Sequence, residues 1–111
     1  MRAVESLVAE YQSAAARHGS AKSARAANSA AEKIASIYRD LRQRGERAQL
    51  LPLLTDENPS VRSWAAAHAL EFAPKQAVPV LGALANGPLG SLRASASMTL
   101  REWRAGRLTF P

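Results

Sequence analysis

The stretch LLPLLTDENPSVRSWAAAHALEF, residues 50–72, decides the fold. It reads as one helical hairpin. Leu50, Leu51, Leu53 and Leu54 make the first arm apolar around most of its circumference. Pro52 lies inside that arm and removes a backbone donor, so the arm must bend or start late. Asp56, Glu57, Asn58 and Pro59 supply a tight turn. Asn58 is a good N-cap, and Pro59 suits the first helical position, where its missing N–H costs nothing. The second arm carries Val61, Arg62 and an alanine-rich run to position 73, and Pro74 stops it.

Two longer helices precede this hairpin. Over residues 1–18, Val4, Leu7, Val8, Tyr11, Ala14 and Ala15 fall on one helical face. Gly19 suits a C-terminal cap there, and Ser20 suits the N-cap of the next helix. That helix spans about 21–44. Ala24, Ala27, Ala31, Ile34, Tyr38 and Leu41 form its apolar stripe, and Gly45 breaks it. The hairpin arms then cover about 46–55 and 59–73. A fifth helix is expected over about 75–85 with Pro79 inside it, and a sixth over about 91–105, with Leu92, Ala96, Leu100 and Trp103 on one side. Gly106 ends the sixth, and Leu108 and Phe110 anchor a short tail.

The last pair repeats the hairpin. Pro79 in AVPVL answers Pro52 in LLPLL 27 residues later, and Arg93 in SLRASASMTL answers Arg62 in SVRSWAAAHAL 31 residues later. A period of about 30 residues built from helix–turn–helix units is the signature of a stacked helical array. The expectation is a single domain over 1–111 with units at about 1–45, 46–73 and 74–105 and a tail at 106–111.

LLPLLTDENPSVRSWAAAHAL resembles a HEAT repeat: an apolar first helix, an Asp ending it, a Pro in the turn, then Val-Arg and small residues. The resemblance covers residues 46–104. It implies an all-α fold, a right-handed α-α superhelix (α-solenoid) of about three helical hairpins and six helices. In that family the Asp and the Arg six residues later form a ladder between repeats; the matching positions are Asp56 and Arg62. The second unit departs from the pattern, with Asn86 near the Asp position and Arg93 retained. The whole chain also resembles a small bacterial family of uncharacterised proteins, a domain of unknown function with an armadillo-like fold. RAANSAAEKIASIYRDLRQRG, VRSWAAAHAL followed by Pro74, and ASMTLREWRAG carry that resemblance. It implies a fold and no activity.

Composition narrows the function. The chain has no cysteine, which removes disulfides and thiolate metal sites. Two distant histidines and scattered acids give no metal-ligand spacing, and no glycine-rich phosphate loop is present. No stretch reaches the roughly 20 apolar residues of a membrane span. Residues 1–11 contain Glu5 and Glu10 and no apolar core, so they do not read as a secretory signal, and a cytoplasmic location is expected. The net charge is +6 and most of the basic residues are arginine. Arginine recognises carboxylates and phosphates in a planar, bidentate way, so an anionic partner is permitted.

No catalytic constellation emerges. His68 has no serine three or four residues away on a shared face, so a packed or rim role outweighs catalysis. No enzyme, cofactor or metal is expected. The leading expectation is a non-catalytic protein-interaction module, an adaptor or immunity-type protein. The alternative is a nucleic-acid-binding repeat protein using an arginine-rich concave face, and a homodimer is a third arrangement. The candidate partner-binding residues are Arg39, Arg42, Arg62, Trp64, His68, Arg93 and Arg101. Each has a bland counterpart: the arginines solvated or paired locally, as Arg62 with Asp56, and Trp64 wedged into the core.

Overall fold

The computed structural model describes residues 2–111. Among them are five α-helices and one 3₁₀ segment, and no strand. The α-helices are α1 (Val4–Ser20), α2 (Ala24–Gln43), α3 (Pro59–Ala69), α4 (Pro74–Ala85) and α5 (Gly90–Arg104). The 3₁₀ segment, Arg47–Thr55, precedes α3. Position 1 of the first expected helix lies outside the described residues. No helix among those described is long and apolar enough to cross a membrane.

The first arm of the hairpin is the main departure. It is wound as a 3₁₀ helix and not as an α-helix. Pro52 has no N–H for the carbonyl of Ala48, and its ring steers Leu51 away from α geometry. The tighter winding still places Leu50, Leu53 and Leu54 in the core. Thr55 closes it by donating its hydroxyl to the Pro52 carbonyl at 3.2 Å. By contrast, α4 holds α geometry through Pro79.

The turn and the caps follow from the sequence. Asn58 Oδ1 accepts the N–H of Ser60 at 2.8 Å and of Val61 at 3.4 Å, the N-cap of α3. Gly45 has φ +70° and Gly106 φ +73°, the left-handed geometry in which a side chain is strained. Both close a six-to-one bond, Glu46 N–H to Leu41 O at 2.8 Å and Arg107 N–H to Glu102 O at 2.8 Å. The junction of α1 and α2 differs from expectation. Helix α1 continues through Ser20, and Ser23, not Ser20, caps α2 by accepting from Ala26 N–H at 3.1 Å.

The helices pair in chain order: α1 with α2, the 3₁₀ segment with α3, and α4 with α5. Helix α3 sits in the middle and also touches α1, α4 and α5. Its small residues Ala65, Ala66 and Ala69 are buried, which lets its neighbours approach from several sides. The core joins Leu7, Tyr11, Ile34, Leu41, Leu50 and Leu81 around it. The radius of gyration is 13.1 Å, the value of about 13 Å expected of a rounded domain of this length.

At Gly19 α1 packs tightly against the start of α3. A Cβ there would stand 2.6 Å from Ser60 Cβ. Ser60 cannot retreat, because its hydroxyl donates to the Ala15 carbonyl at 2.9 Å and its backbone is the capped first turn of α3. Gly19→Ala is therefore expected to destabilise by about 1–3 kcal/mol, although alanine is favoured by about 1 kcal/mol in an open helix. Urea unfolding of the single variant and of Gly19→Ala/Ser60→Gly checks this. A more stable single variant would mean that the two helices do not approach so closely.

Candidate functional site

His68 projects from the last turn of α3 into a polar cluster and is only 5% exposed. The Tyr11 hydroxyl on α1 and His68 Nδ1 share a hydrogen bond at 2.6 Å. The Tyr38 ring on α2 stacks on the imidazole, with centroids 4.1 Å apart and planes at 11°. Tyr38 donates its hydroxyl to Glu71 at 2.5 Å, and Arg47 and Arg42 donate to the same carboxylate at 3.1 and 3.4 Å. Arg42 also donates to the Pro111 carbonyl and lies over the Tyr38 ring at 5.6 Å. Arg47 covers the Phe72 ring at 5.2 Å.

The electrostatics follow from burial. Burial pushes His68 down to about 4; the Glu71 carboxylate opposes this, and the Arg42 guanidinium adds to it. Burial raises the Tyr11 and Tyr38 phenols, and the Glu71 hydrogen bond raises Tyr38 further. For Glu71 burial works upward, but the hydrogen bonds from Tyr38, Arg47 and Arg42 prevail and hold the carboxyl below its usual range. The imidazole is thus neutral near pH 7, enclosed by aromatic rings and engaged with Tyr11. This corrects its place among the partner-binding candidates: α3 turns His68 inward because its neighbours Ala65 and Ala69 pack the same side.

The other candidates scatter. Arg42 is partly exposed, and its guanidinium is engaged by Glu71 and Pro111 within the chain. Arg62 Nη1 donates to the backbone carbonyls of Asp56 at 2.7 Å and Glu57 at 3.1 Å, so it braces the turn and does not pair with the Asp56 carboxylate. That carboxylate instead accepts the Asn58 N–H at 2.9 Å and the Gln12 side chain at 2.5 Å. Arg62 also borders an apolar groove of about 480 Å³ with Leu54, Pro79, Val80 and Leu84. Arg101 borders a different depression, with Arg104 and Ser97. Arg39 and Arg93 are exposed. Two of the five arginines are therefore spent on internal contacts, and of the others Arg39 lies on α2 and Arg93 and Arg101 on α5.

Trp64 stands in a third concave site. It is half-buried in a groove of about 630 Å³ between the end of α1, the outer side of α3 and the start of α5. His18 meets its ring edge-on, with centroids 5.0 Å apart. The walls are mostly apolar, and their polar groups include hydroxyls: Ser60 and Ser63 from α3, and Ser91, Ser95 and Thr99 from α5. Neither Asp, Glu, Lys nor Arg lines it. Sequence reading passed over these hydroxyls. The i, i+4, i+8 spacing of Ser91, Ser95 and Thr99 was the available signal, a polar stripe beside the apolar one formed by Leu92, Ala96 and Leu100.

The groove has hydrogen-bond donors and an aromatic wall but no acid–base pair. Among the described residues no three His, Cys, Asp or Glu side chains are grouped to hold a metal ion. The arrangement suits recognition of a chain segment. A model of the family described as a domain of unknown function (DUF2019) matches residues 5–103. No curated protein and no solved structure matches the chain.

Proposed function

Because the chain belongs to the DUF2019 family, whose description carries no activity, we propose its function from geometry: a non-catalytic, cytoplasmic protein-interaction module of adaptor or immunity type. We read the three helical pairs as HEAT-like units of a short right-handed α-solenoid. In such an array the second helix of each pair faces the partner, and the groove lies between two of these, α3 and α5. The observation that carries the reading is Trp64, a half-exposed tryptophan in the wall of a wide groove, where large aromatic anchors concentrate binding energy. The nucleic-acid alternative is weakened because Arg42 and Arg62 are engaged within the chain.

The test is cross-linking in the native host followed by reconstitution with the recovered protein. Trp64→Leu keeps an apolar contact with the core but removes the indole. It is expected to weaken the partner by at least about 30-fold, the size of a typical hot spot. Equal affinity of the two proteins, or cross-links that map away from α3 and α5, would overturn the reading.

A further inference from the structure

The start of α5 opens on the Trp64 groove without a cap. Leu89 occupies the N-cap position and offers no side-chain acceptor. The N–H groups of Gly90, Ser91 and Leu92 belong to the first turn, where no helical carbonyl is in reach. The first bonded amide is Arg93, which donates to Leu89 O at 2.7 Å. Free donors of this kind, with the helix dipole behind them, favour a negative group.

A second, independent observation lies across the groove. Ser63 on α3 is only 9% exposed, yet its hydroxyl has no hydrogen-bond partner among the described residues. It lines the groove and is not sealed from it. The residue is largely buried while its oxygen still meets the groove, so this hydroxyl is completed from the groove side. Ser91 and Ser95 add hydroxyls on the facing helix.

Charge decides what completes it. The protein is +6 overall and no acid lines this groove, so nothing in the wall repels an anion. No arginine or lysine lines it either, which disfavours a phosphate dianion and suits a single carboxylate held by neutral donors. Resting on the reading of this groove as a protein-binding surface, we propose that it seats an acidic side chain, Asp or Glu, from an extended segment of the partner. That carboxylate caps α5 in trans at Gly90, Ser91 and Leu92 and accepts the Ser63 hydroxyl, while the adjoining residues of the segment lie against Trp64.

The full chain, labelled with nitrogen-15, is titrated with acetyl-Ala-Asp-Ala-amide, with the isosteric acetyl-Ala-Asn-Ala-amide, and with acetyl-tri-alanine bearing a free C-terminal carboxylate. The Asp peptide is expected to move the amide signals of Gly90, Ser91 and Leu92 and to bind about tenfold more tightly than the Asn peptide. Ser63→Ala is expected to reduce that preference. Leu89→Asp places a carboxylate at the N-cap of α5 within the chain and is expected to abolish it while the fold is retained. Equal binding of the Asp and Asn peptides, or no shift up to about 20 mM, far above the millimolar range of weak sites, overturns the proposal. Binding of the free carboxylate alone overturns the side-chain source. These failures leave a partner captured through Trp64 standing. Loss of the Trp64 effect together with an intact Asp preference would remove the protein-binding role and keep the anion site.

Discussion

Alanine at position 68 is expected to destabilise the protein by about 3–5 kcal/mol, enough to leave much of a marginally stable domain unfolded. The imidazole fills the space between Tyr11, Tyr38 and Trp64. Its removal opens a cavity inside the core. It also strands the Tyr11 hydroxyl, which sits in a fully buried side chain and has His68 as its partner. An orphaned buried hydroxyl adds about 1–3 kcal/mol to the cavity term. Tyr11→Phe keeps the ring and deletes the hydroxyl, so it separates the two contributions. The double variant Tyr11→Phe/His68→Ala is expected to lose less than the sum of the single losses, by about 1 kcal/mol or more. Urea unfolding at pH 7.5 measures all three. A single-variant loss below about 1 kcal/mol, or strict additivity, would show that the hydrogen bond does not bind α1 to α3.

Mild acid is expected to weaken the fold through the same residue. The folded-state pKa of His68 lies near 4, below its ordinary value of 6.5. Between those values the unfolded chain binds a proton that the folded chain refuses, so stability falls as pH falls. The stabilisation is complete above pH 6.5 and is lost progressively down to about 4, a loss of about 3 kcal/mol. Glu71 has the opposite protonation and the same direction of effect. Its depressed carboxyl stabilises above the usual carboxylate value, and that contribution fades as pH drops below it. The window from 6.5 to 5 thus belongs to His68, and more acid conditions add Glu71. The groups facing the imidazole are Tyr11, Tyr38, Glu71 and Arg42. Urea midpoints at pH 7.5, 6 and 5 are expected to decline for the native sequence and to stay level for His68→Phe. A decline of equal size in that variant would overturn the assignment of the effect to His68.

Local chemistry was legible where one residue suffices to specify a conformation. Asn58 and Pro59 at the start of α3, Gly45 after α2 and Gly106 after α5 each act through their own backbone, and each stands where sequence placed it. The winding of the 3₁₀ segment was less legible, because Pro52 announces a disturbed helix without saying whether it kinks, shortens or tightens. Arg62 shows a different limit. Its spacing from Asp56 is right for a contact, but sequence does not distinguish a carboxylate from the carbonyl of the same residue. The surroundings of His68 and the groove hydroxyls were not legible because they are set by elements far along the chain. Tyr11 lies 57 residues from His68, and Ser63 faces α5 across the groove. Histidine beside alanines reads as a packed or a rim residue, and two tyrosines from the first helical pair decide for packed.

Stacked-repeat proteins are usually modular: each unit touches only its neighbours, so units can be added, removed or shuffled. The tyrosine–histidine cluster leaves no such freedom between the first two helical pairs of this chain. The first helical pair contributes two phenols that lack a complete set of partners within it, and the second contributes an imidazole and a carboxylate that need those phenols. Neither pair is a finished object. Excising the first leaves polar groups facing a vanished neighbour, and grafting the second onto a foreign array requires two tyrosines at matching positions. The helical pairs are thereby joined in a single indivisible core.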